Sequence, residues 1–297
     1  MIPRGVIFGF IGPSGSGKTT AIRLLTGIDV ADEGEVEVLG CPSISFDRSL
    51  RAQIGYMPQR SVQFPNLSVQ ANMSFVASLY GLPLRGRQVI AEVLEQTELY
   101  EHRRKRVREL SGGMQRRLAL SAALVHSPQV LFLDEPTAGI DPVLRRKVWD
   151  HLEALRDEGV TLFVTTQYVS EATYCDRVAV LAQGRLFAED TPQGLRRRAL
   201  GGDVLVLTPR LPLDEPTMEL LCDLDGVREV QRVDGGTTLR LVVDVAEQRL
   251  PQLQDWSTRN QLDIETLRED HVPFDDIFTE LIEQDGAGAA SKQQAIW

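Results

Sequence analysis

Residues 5–26 read Gly-Val-Ile-Phe-Gly-Phe-Ile-Gly-Pro-Ser-Gly-Ser-Gly-Lys-Thr-Thr-Ala-Ile-Arg-Leu-Leu-Thr. Gly5–Ile11 is a short apolar run, the pattern of a buried strand. Lys18–Thr26 follows as a helix. Between them Gly12-Pro13-Ser14-Gly15-Ser16-Gly17-Lys18-Thr19 fits G-x-x-x-x-G-K-[ST] in full. Glycines let backbone N–H groups curl around phosphate oxygens, and the helix N-terminus adds its positive end. Lys18 is expected to reach the β- and γ-phosphates and Thr19 to offer its hydroxyl to Mg²⁺, with Thr20 in the same stretch. A Gly-rich turn without a ligand is the plainer alternative; the full motif in a strand-to-helix context disfavours it.

Such a cradle needs a carboxylate on the metal side. Val130–Asp134 is a continuous apolar strand ending in Asp, placed where a parallel neighbour would bring Asp134 to the Mg²⁺. Glu135 comes next, positioned to polarise an attacking water. A second Gly-rich turn, Ser111-Gly112-Gly113, opens a helix running to about His126 and could bind a phosphate by the same dipole argument. Ser111 alone reads equally well as a plain N-cap.

Further out, helices are expected after Ser68, over Gln88–Glu98, and from Pro142 to about Glu158. Strands are expected at Glu35–Leu39, Val160–Thr165 and Arg177–Leu181. Strands alternating with helices predict an α/β domain with a parallel sheet over residues 1–200. After Gly201-Gly202 the expected order is strand Asp203–Leu207, helix Glu215–Cys222, strand Val227–Val233, a Gly-Gly turn, strand Thr237–Val243, helix Ala246–Asp255 and strand Leu262–Leu267. That order is a split βαβ, ferredoxin-like α+β domain over 203–283, with a last helix near Phe274–Ile282. The Gly/Ala/Ser/Gln-rich residues 284–297 read as a disordered tail.

The net charge of −10 makes general nucleic-acid binding a poor expectation, since phosphates need Lys and Arg. No apolar run approaches a membrane span, and the first residues carry no signal-peptide pattern. Cys41, Cys175 and Cys222 show neither zinc spacing nor a disulfide framework. The expected location is therefore the cytosol or the cytosolic face of a membrane. The basic run Arg103–Arg108 reads first as a solvated helix end or loop, and second as a contact with a membrane subunit or anionic headgroups. His102, His126, His151 and His271 form no cluster.

Taken together, the motifs resemble an ATP-binding cassette (ABC) ATPase over about residues 4–200. Leu110-Ser111-Gly112-Gly113-Met114-Gln115 is similar to the ABC signature. Leu133-Asp134-Glu135-Pro136-Thr137 looks like the Walker B strand, Gly139-Ile140-Asp141-Pro142 like the D-loop, and Tyr56-Met57-Pro58-Gln59 like the Q-loop. The resemblance implies a P-loop NTPase fold with a helical subdomain at about 66–126, and a head-to-tail homodimer sandwiching two ATP molecules. Lys18 and Thr19 would then hold phosphate and Mg²⁺, Asp134 Mg²⁺ through water, and Glu135 would be the general base. Ser111, Gly112 and Gly113 would contact the partner's γ-phosphate. Gln59 would sense nucleotide and metal and link to the membrane subunit, and Asp141 would communicate across the dimer. Ala71-Asn72, Tyr80-Gly81-Leu82-Pro83 and Pro273-Phe274-Asp275-Asp276-Ile277-Phe278 resemble exporters with separate ABC-2 type permeases, nearest the daunorubicin-resistance-like and multidrug subunits. The expected function is an ATPase powering export through that permease. A nucleotide-sensing subunit with little turnover and a non-transport ABC ATPase are the alternatives.

Two positions depart from the family pattern. Thr165-Thr166-Gln167-Tyr168 carries Gln where the family usually has His, so the switch at Gln167 is expected to donate a hydrogen bond without titrating. Family members also usually carry more sequence before the P-loop strand, including an aromatic that stacks on adenine. Either Met1 is not the true start or the adenine pocket is incomplete; the first is the expectation.

Overall fold

The computed structural model describes residues 1–60, 62–82, 86–233, 237–270 and 272–283. The Gly235-Gly236 turn, His271 and the tail from Gln284 lie outside the described residues. The chain divides into two compact units, Met1–Glu189 and Asp190–Trp297. The helix Pro192–Leu200 thus falls in the second unit, ahead of the break read at Gly201-Gly202.

The first unit runs β1 (Ile7–Ile11), α1 (Lys18–Leu25), β2 (Glu37–Val38), β3 (Cys41–Pro42), α2 (Arg48–Arg51), β4 (Ile54–Met57), α3 (Val69–Leu79), α4 (Gly86–Gln96), α5 (Gly112–Leu124), β5 (Val130–Asp134), α6 (Pro142–Asp157), β6 (Thr161–Thr166), β7 (Arg177–Ala182) and β8 (Arg185–Asp190). Its main sheet has the order β4-β5-β6-β1-β7-β8, with the first five strands parallel. Every residue of β5 is buried, as a central parallel strand requires. Phe163 of β6 joins its neighbours, with ring centroids 5.6 Å from Phe8 and 5.8 Å from Phe132. β8 returns from β7 through Gln183-Gly184, both at positive φ, as a two-residue hairpin turn demands.

Local chemistry sets the helix starts. Ser68 caps α3 by accepting from Ala71 N at 3.1 Å, and Asp141 caps α6 by accepting from Val143 N and Leu144 N. Buried Asn72 ties the preceding loop to α3, accepting from Phe64 N at 2.8 Å and donating to Phe64 O and Ser68 O. The basic run sits at the start of the same helix. Carbonyls of Lys105 and Arg103 accept from Val69 N and Gln70 N, satisfying donors that a helix start leaves open.

The second unit runs α7 (Pro192–Leu200), β9 (Asp203–Pro209), α8 (Glu215–Cys222), β10 (Val227–Val233), β11 (Thr238–Val243), α9 (Ala246–Arg259) and β12 (Ile264–Glu269), and residues 274–283 form a last helix. The sheet order β10-β11-β9-β12, antiparallel throughout, is that of a split βαβ unit. Alternate residues Leu205, Leu207, Leu239, Leu241 and Val243 face Met218 and Leu221 of α8 and Leu253 of α9. Both edge strands are irregular: β10 shifts register between Val227 and Glu229, and β12 between Ile264 and Thr266. Arg197 grips buried Asp203 through two hydrogen bonds of 2.7 and 2.8 Å, and Asp203 also accepts from Ala246 N at the start of α9.

Three expectations shift. Strand Glu35–Leu39 shrinks to Glu37–Val38, because Leu39 and Gly40 turn at positive φ into β3. α9 runs on to Arg259 past the internal Pro251. β4, α2, β3 and β8 were not foreseen. The first two are only four residues long, and β8 follows its hairpin turn at the sheet edge.

Candidate nucleotide site

Parallel register brings the chemistry to one edge of the sheet. Ile11 pairs with Thr166, Asp134 with Thr165, and Met57 with Leu133. The residues that leave the carboxyl ends of four strands are therefore neighbours: Gly12, Gln59, Glu135 and Gln167. β5, which ends in Asp134, has β6 as its parallel neighbour, and β6 in turn lies beside β1. Thr165 of β6 bridges the gap, donating its Oγ1 to Asp134 Oδ1 at 2.7 Å.

The loop Gly12–Thr19 is held by backbone hydrogen bonds, one within it and two to the end of β6 and the turn after β7. Gly12 N donates to Thr166 O, Ser16 N to Pro13 O, and Gly184 N to Ser16 O, each at 3.2 Å. A Cβ on Gly12 would stand 2.0 Å from Leu181 O, so the loop can pass β7 only as glycine. Gly15 and Gly17 take φ of 79° and 105°, which other residues reach only at a cost. Lys18 curls back, donating Nζ to Gly12 O at 2.7 Å and Pro13 O at 3.0 Å. The same Nζ lies 3.6 Å from Glu135 Oε1. Burial pushes the Lys18 amine below its ordinary value, and the Glu135 and Asp134 carboxylates work against that shift. Thr19 is half-buried and Thr20 exposed on α1.

Glu135 begins a turn at φ 50°, its N–H donating to Thr165 O and Oγ1, both at 3.1 Å. This left-handed turn swings its carboxylate toward Lys18 instead of continuing the strand. The other oxygen, Oε2, accepts from Gln59 Nε2 at 2.9 Å. Gln167 accepts from Ser14 Oγ at 2.9 Å through its Oε1, leaving its NH₂ as the donor end. Asp134 is fully buried, and its Oδ2 lacks a hydrogen-bond partner, as does buried Ser16 Oγ. Buried polar atoms are normally satisfied, so these two point to a polar ligand. Among the described residues, no group of three His, Cys, Asp or Glu side chains could hold a metal by itself.

The structure thus gathers Gly12–Thr20, Gln59, Asp134, Glu135 and Gln167. It does not bring in Ser111, Gly112, Gly113 or Asp141. Among the described residues no hydrogen bond or ion pair joins these four to the P-loop; Ser111 caps α5 through Met114 N at 3.3 Å, and Asp141 caps α6. Gly113 packs on α6, with Leu144 Cδ2 2.5 Å from where its Cβ would stand.

One residue went unread. Arg116 of α5 donates to the carbonyls of Gln59 at 2.5 Å, Asp134 at 2.8 Å and Pro136 at 3.1 Å, and also to Glu135 O. It pins the loop after β4 and the turn after β5 to one helix. Burial pushes its guanidinium below the ordinary value, opposed by Asp134 and Glu135, and a guanidinium remains charged regardless. Its only trace in the sequence is its place directly after the signature-like stretch.

A parallel sheet with a phosphate loop, a buried Asp and a following Glu at one edge defines a P-loop nucleoside triphosphatase of the ATP-binding cassette class. A family model described as ABC transporter matches residues 1–138. The Nod factor export ATP-binding protein I of Paraburkholderia xenovorans (strain LB400) is 36% identical over 255 residues, covering 84% of this chain and 82% of that protein. The chain belongs to this family of ABC transporter ATP-binding proteins. The probable multidrug ABC transporter ATP-binding protein YbhF of Escherichia coli (strain K12) is 36% identical over 227 residues, 75% of this chain; the match spans 38% of that protein's length. Among solved structures, cbiO1 from Clostridium perfringens, part of the ABC transporter complex cbiONQ, superposes with a TM-score of 0.59 at 29% identity, covering 75% of this chain and 89% of that one. The post-hydrolysis dimer of the ATP-binding cassette MJ0796 bound to ADP and Pi gives a TM-score of 0.58 at 27% identity, covering 64% of this chain and 87% of that chain.

Proposed function

We infer that this chain hydrolyses ATP to power export through a separately encoded membrane permease. The observation that carries the reading is the Lys18–Glu135–Gln59 constellation at the mouth of the phosphate loop. Lys18 holds the β- and γ-phosphates. Glu135 takes a proton from water as the water oxygen bonds to the γ-phosphorus and the bond to the bridging oxygen breaks, leaving charge on ADP. Gln59 keeps the Glu135 carboxylate oriented, and Gln167 donates to the γ-phosphate. Mg²⁺ fits the unpaired Asp134 Oδ2, with Thr19 and Gln59 as further oxygen donors; bound there it would neutralise phosphate charge.

Ser111, Gly112, Gly113 and Asp141 act on the nucleotide of a second copy in a head-to-tail homodimer. Their separation from the P-loop within one chain supports this, as does the dimeric relative. No helix among the described residues is long and apolar enough to cross a membrane, so the permease would supply the spanning segments. The working position is the cytoplasmic face of the plasma membrane. The cargo, drug-like, lipid or polysaccharide, is chosen by the permease; the relatives' names, multidrug and Nod factor export, support the direction. The 203–283 domain is accessory to the cassette.

Steady-state ATP hydrolysis with Mg²⁺ tests the reading, with Glu135→Gln as control. Loss of a general base lowers the rate by about 10²–10⁴. Turnover no higher than that of the control, in the presence of membrane partner, would replace the motor with a nucleotide sensor.

A further inference from the structure

We propose that Arg145 is a positioning residue for Gln167, acting through Tyr168 and Glu171. This rests on the reading above, in which the site binds ATP and Gln167 faces the terminal phosphate. Gln167 leaves β6 and is followed at once by Tyr168, which starts the 3-10 segment Val169–Tyr174. One face of α6 lies against that segment. The Arg145 Cζ sits 4.1 Å over the Tyr168 ring, and its Nε lies 3.6 Å from Glu171 Oε1. The next residue, Arg146, lies over Tyr174 at 5.0 Å, and Trp149, a turn further on, stacks on the same ring, also at 5.0 Å.

Glu171 is 1% exposed, and neither carboxylate oxygen has a hydrogen-bond partner; nor does Arg145 Nε. Arg145 is therefore the partner that offsets this buried charge. Buried ion pairs are often no more stabilising than an apolar pair of the same volume, so the role assigned to this one is to specify one arrangement. What it specifies is the seat of the Tyr168 ring, one residue from Gln167. The backbone N–H of Arg145 donates to Asp141 O at 2.9 Å, so the residue stands one helical turn from the one proposed to meet a second copy.

The test uses the full chain carrying Glu135→Gln, so that bound ATP is not consumed, and measures ATP and ADP affinities by calorimetry. Gln167 touches only the γ-phosphate in this reading. Arg145→Met and Gln167→Ala should each lower the preference for ATP over ADP by about 3- to 10-fold, with ADP affinity kept. The double variant should fall no further than either single one. Tyr168→Phe keeps the ring and should retain the preference. In chains with Glu135 intact, kcat should drop in the same non-additive pattern with KM little changed. Additive losses, or ADP binding weakened in parallel with ATP binding, would make Arg145 a merely structural residue and overturn the proposal; so would an unsubstituted chain that does not prefer ATP. An unsubstituted chain that prefers ATP but does not turn it over sinks the motor reading alone.

Discussion

Gln59 Nε2 donates to Glu135 Oε2 at 2.9 Å, linking the loop after β4 to the turn after β5 across 76 residues of sequence. The other oxygen of the same carboxylate faces Lys18. Glu135 is therefore held from both sides before any water is aligned. Gln59→Ala removes one hold and leaves the phosphate loop intact. Hydrolysis should fall by about 10- to 100-fold, the rate equivalent of a charge-assisted hydrogen bond of about 1.5–3 kcal/mol. ATP affinity measured without Mg²⁺ should change little. A variant that loses affinity and not rate would assign Gln59 to binding.

The amide of Gln167, oriented by Ser14 Oγ, carries no titrating proton. The native pH–rate profile should be flat between about pH 6 and 8 as far as this position is concerned. Gln167→His should add a limb near pH 6.5, where an imidazole changes charge. A native profile already showing that limb, and losing it in Gln167→Ala, would refute a neutral switch.

Gly12 and Gly15 should respond differently to alanine. At Gly12 the added Cβ meets backbone, Leu181 O at 2.0 Å, which no rotamer can relieve. At Gly15 nothing lies within 4 Å, and only the φ of 79° resists. Gly15→Ala should cost about 1–2 kcal/mol, and Gly12→Ala about 3 kcal/mol or more with loss of nucleotide binding. Chemical denaturation of the two variants decides; equal costs would mean that the β1–β7 edge yields freely.

His126, in the turn just past α5, stacks on Tyr80, centroids 3.7 Å apart, with Nε2 2.9 Å from Ile54 O. A carbonyl only accepts, so Nε2 carries the proton. Burial pushes the imidazole below its ordinary value, and the Ile54 carbonyl partly opposes the shift. With the folded value depressed, the stabilisation is fully present above the unfolded value of about 6.5 and is lost as pH falls from there toward the folded one. His126→Phe should keep the stack, lose about 1 kcal/mol at pH 7.5 through the unpaired carbonyl, and lose less than the native chain between pH 7.5 and 5. Melting curves at both values check this; parallel losses would mean that another group carries the acid sensitivity.

The parts of the fold legible in the sequence were those carried by local chemistry. The run Val130–Asp134 reads as a buried strand because each of its residues is buried, and Pro142 after Asp141 reads as a helix start because capping acts within one turn. The unread parts depend on partners distant in sequence. Ile54–Met57 is too short to declare itself until β5 lies alongside it. The intervention of β6 between β1 and β5 is a matter of strand order, which periodicity does not encode. Arg116 looks like any helix surface cation until the carbonyls of Gln59, Asp134, Glu135 and Pro136 converge on it. The positive φ of Glu135 is likewise imposed from outside, by Thr165.

The register shifts in β10 and β12 bear on crowding. A sheet with straight outer strands offers unpaired N–H and C=O groups to any similar strand brought close. Here both margins of the second unit's sheet are kinked, and they carry Arg228, Glu229, Arg232, Glu265 and Arg268. Chains concentrated side by side on one surface would meet margins that refuse to zip together, so high local density need not seed fibres from this domain.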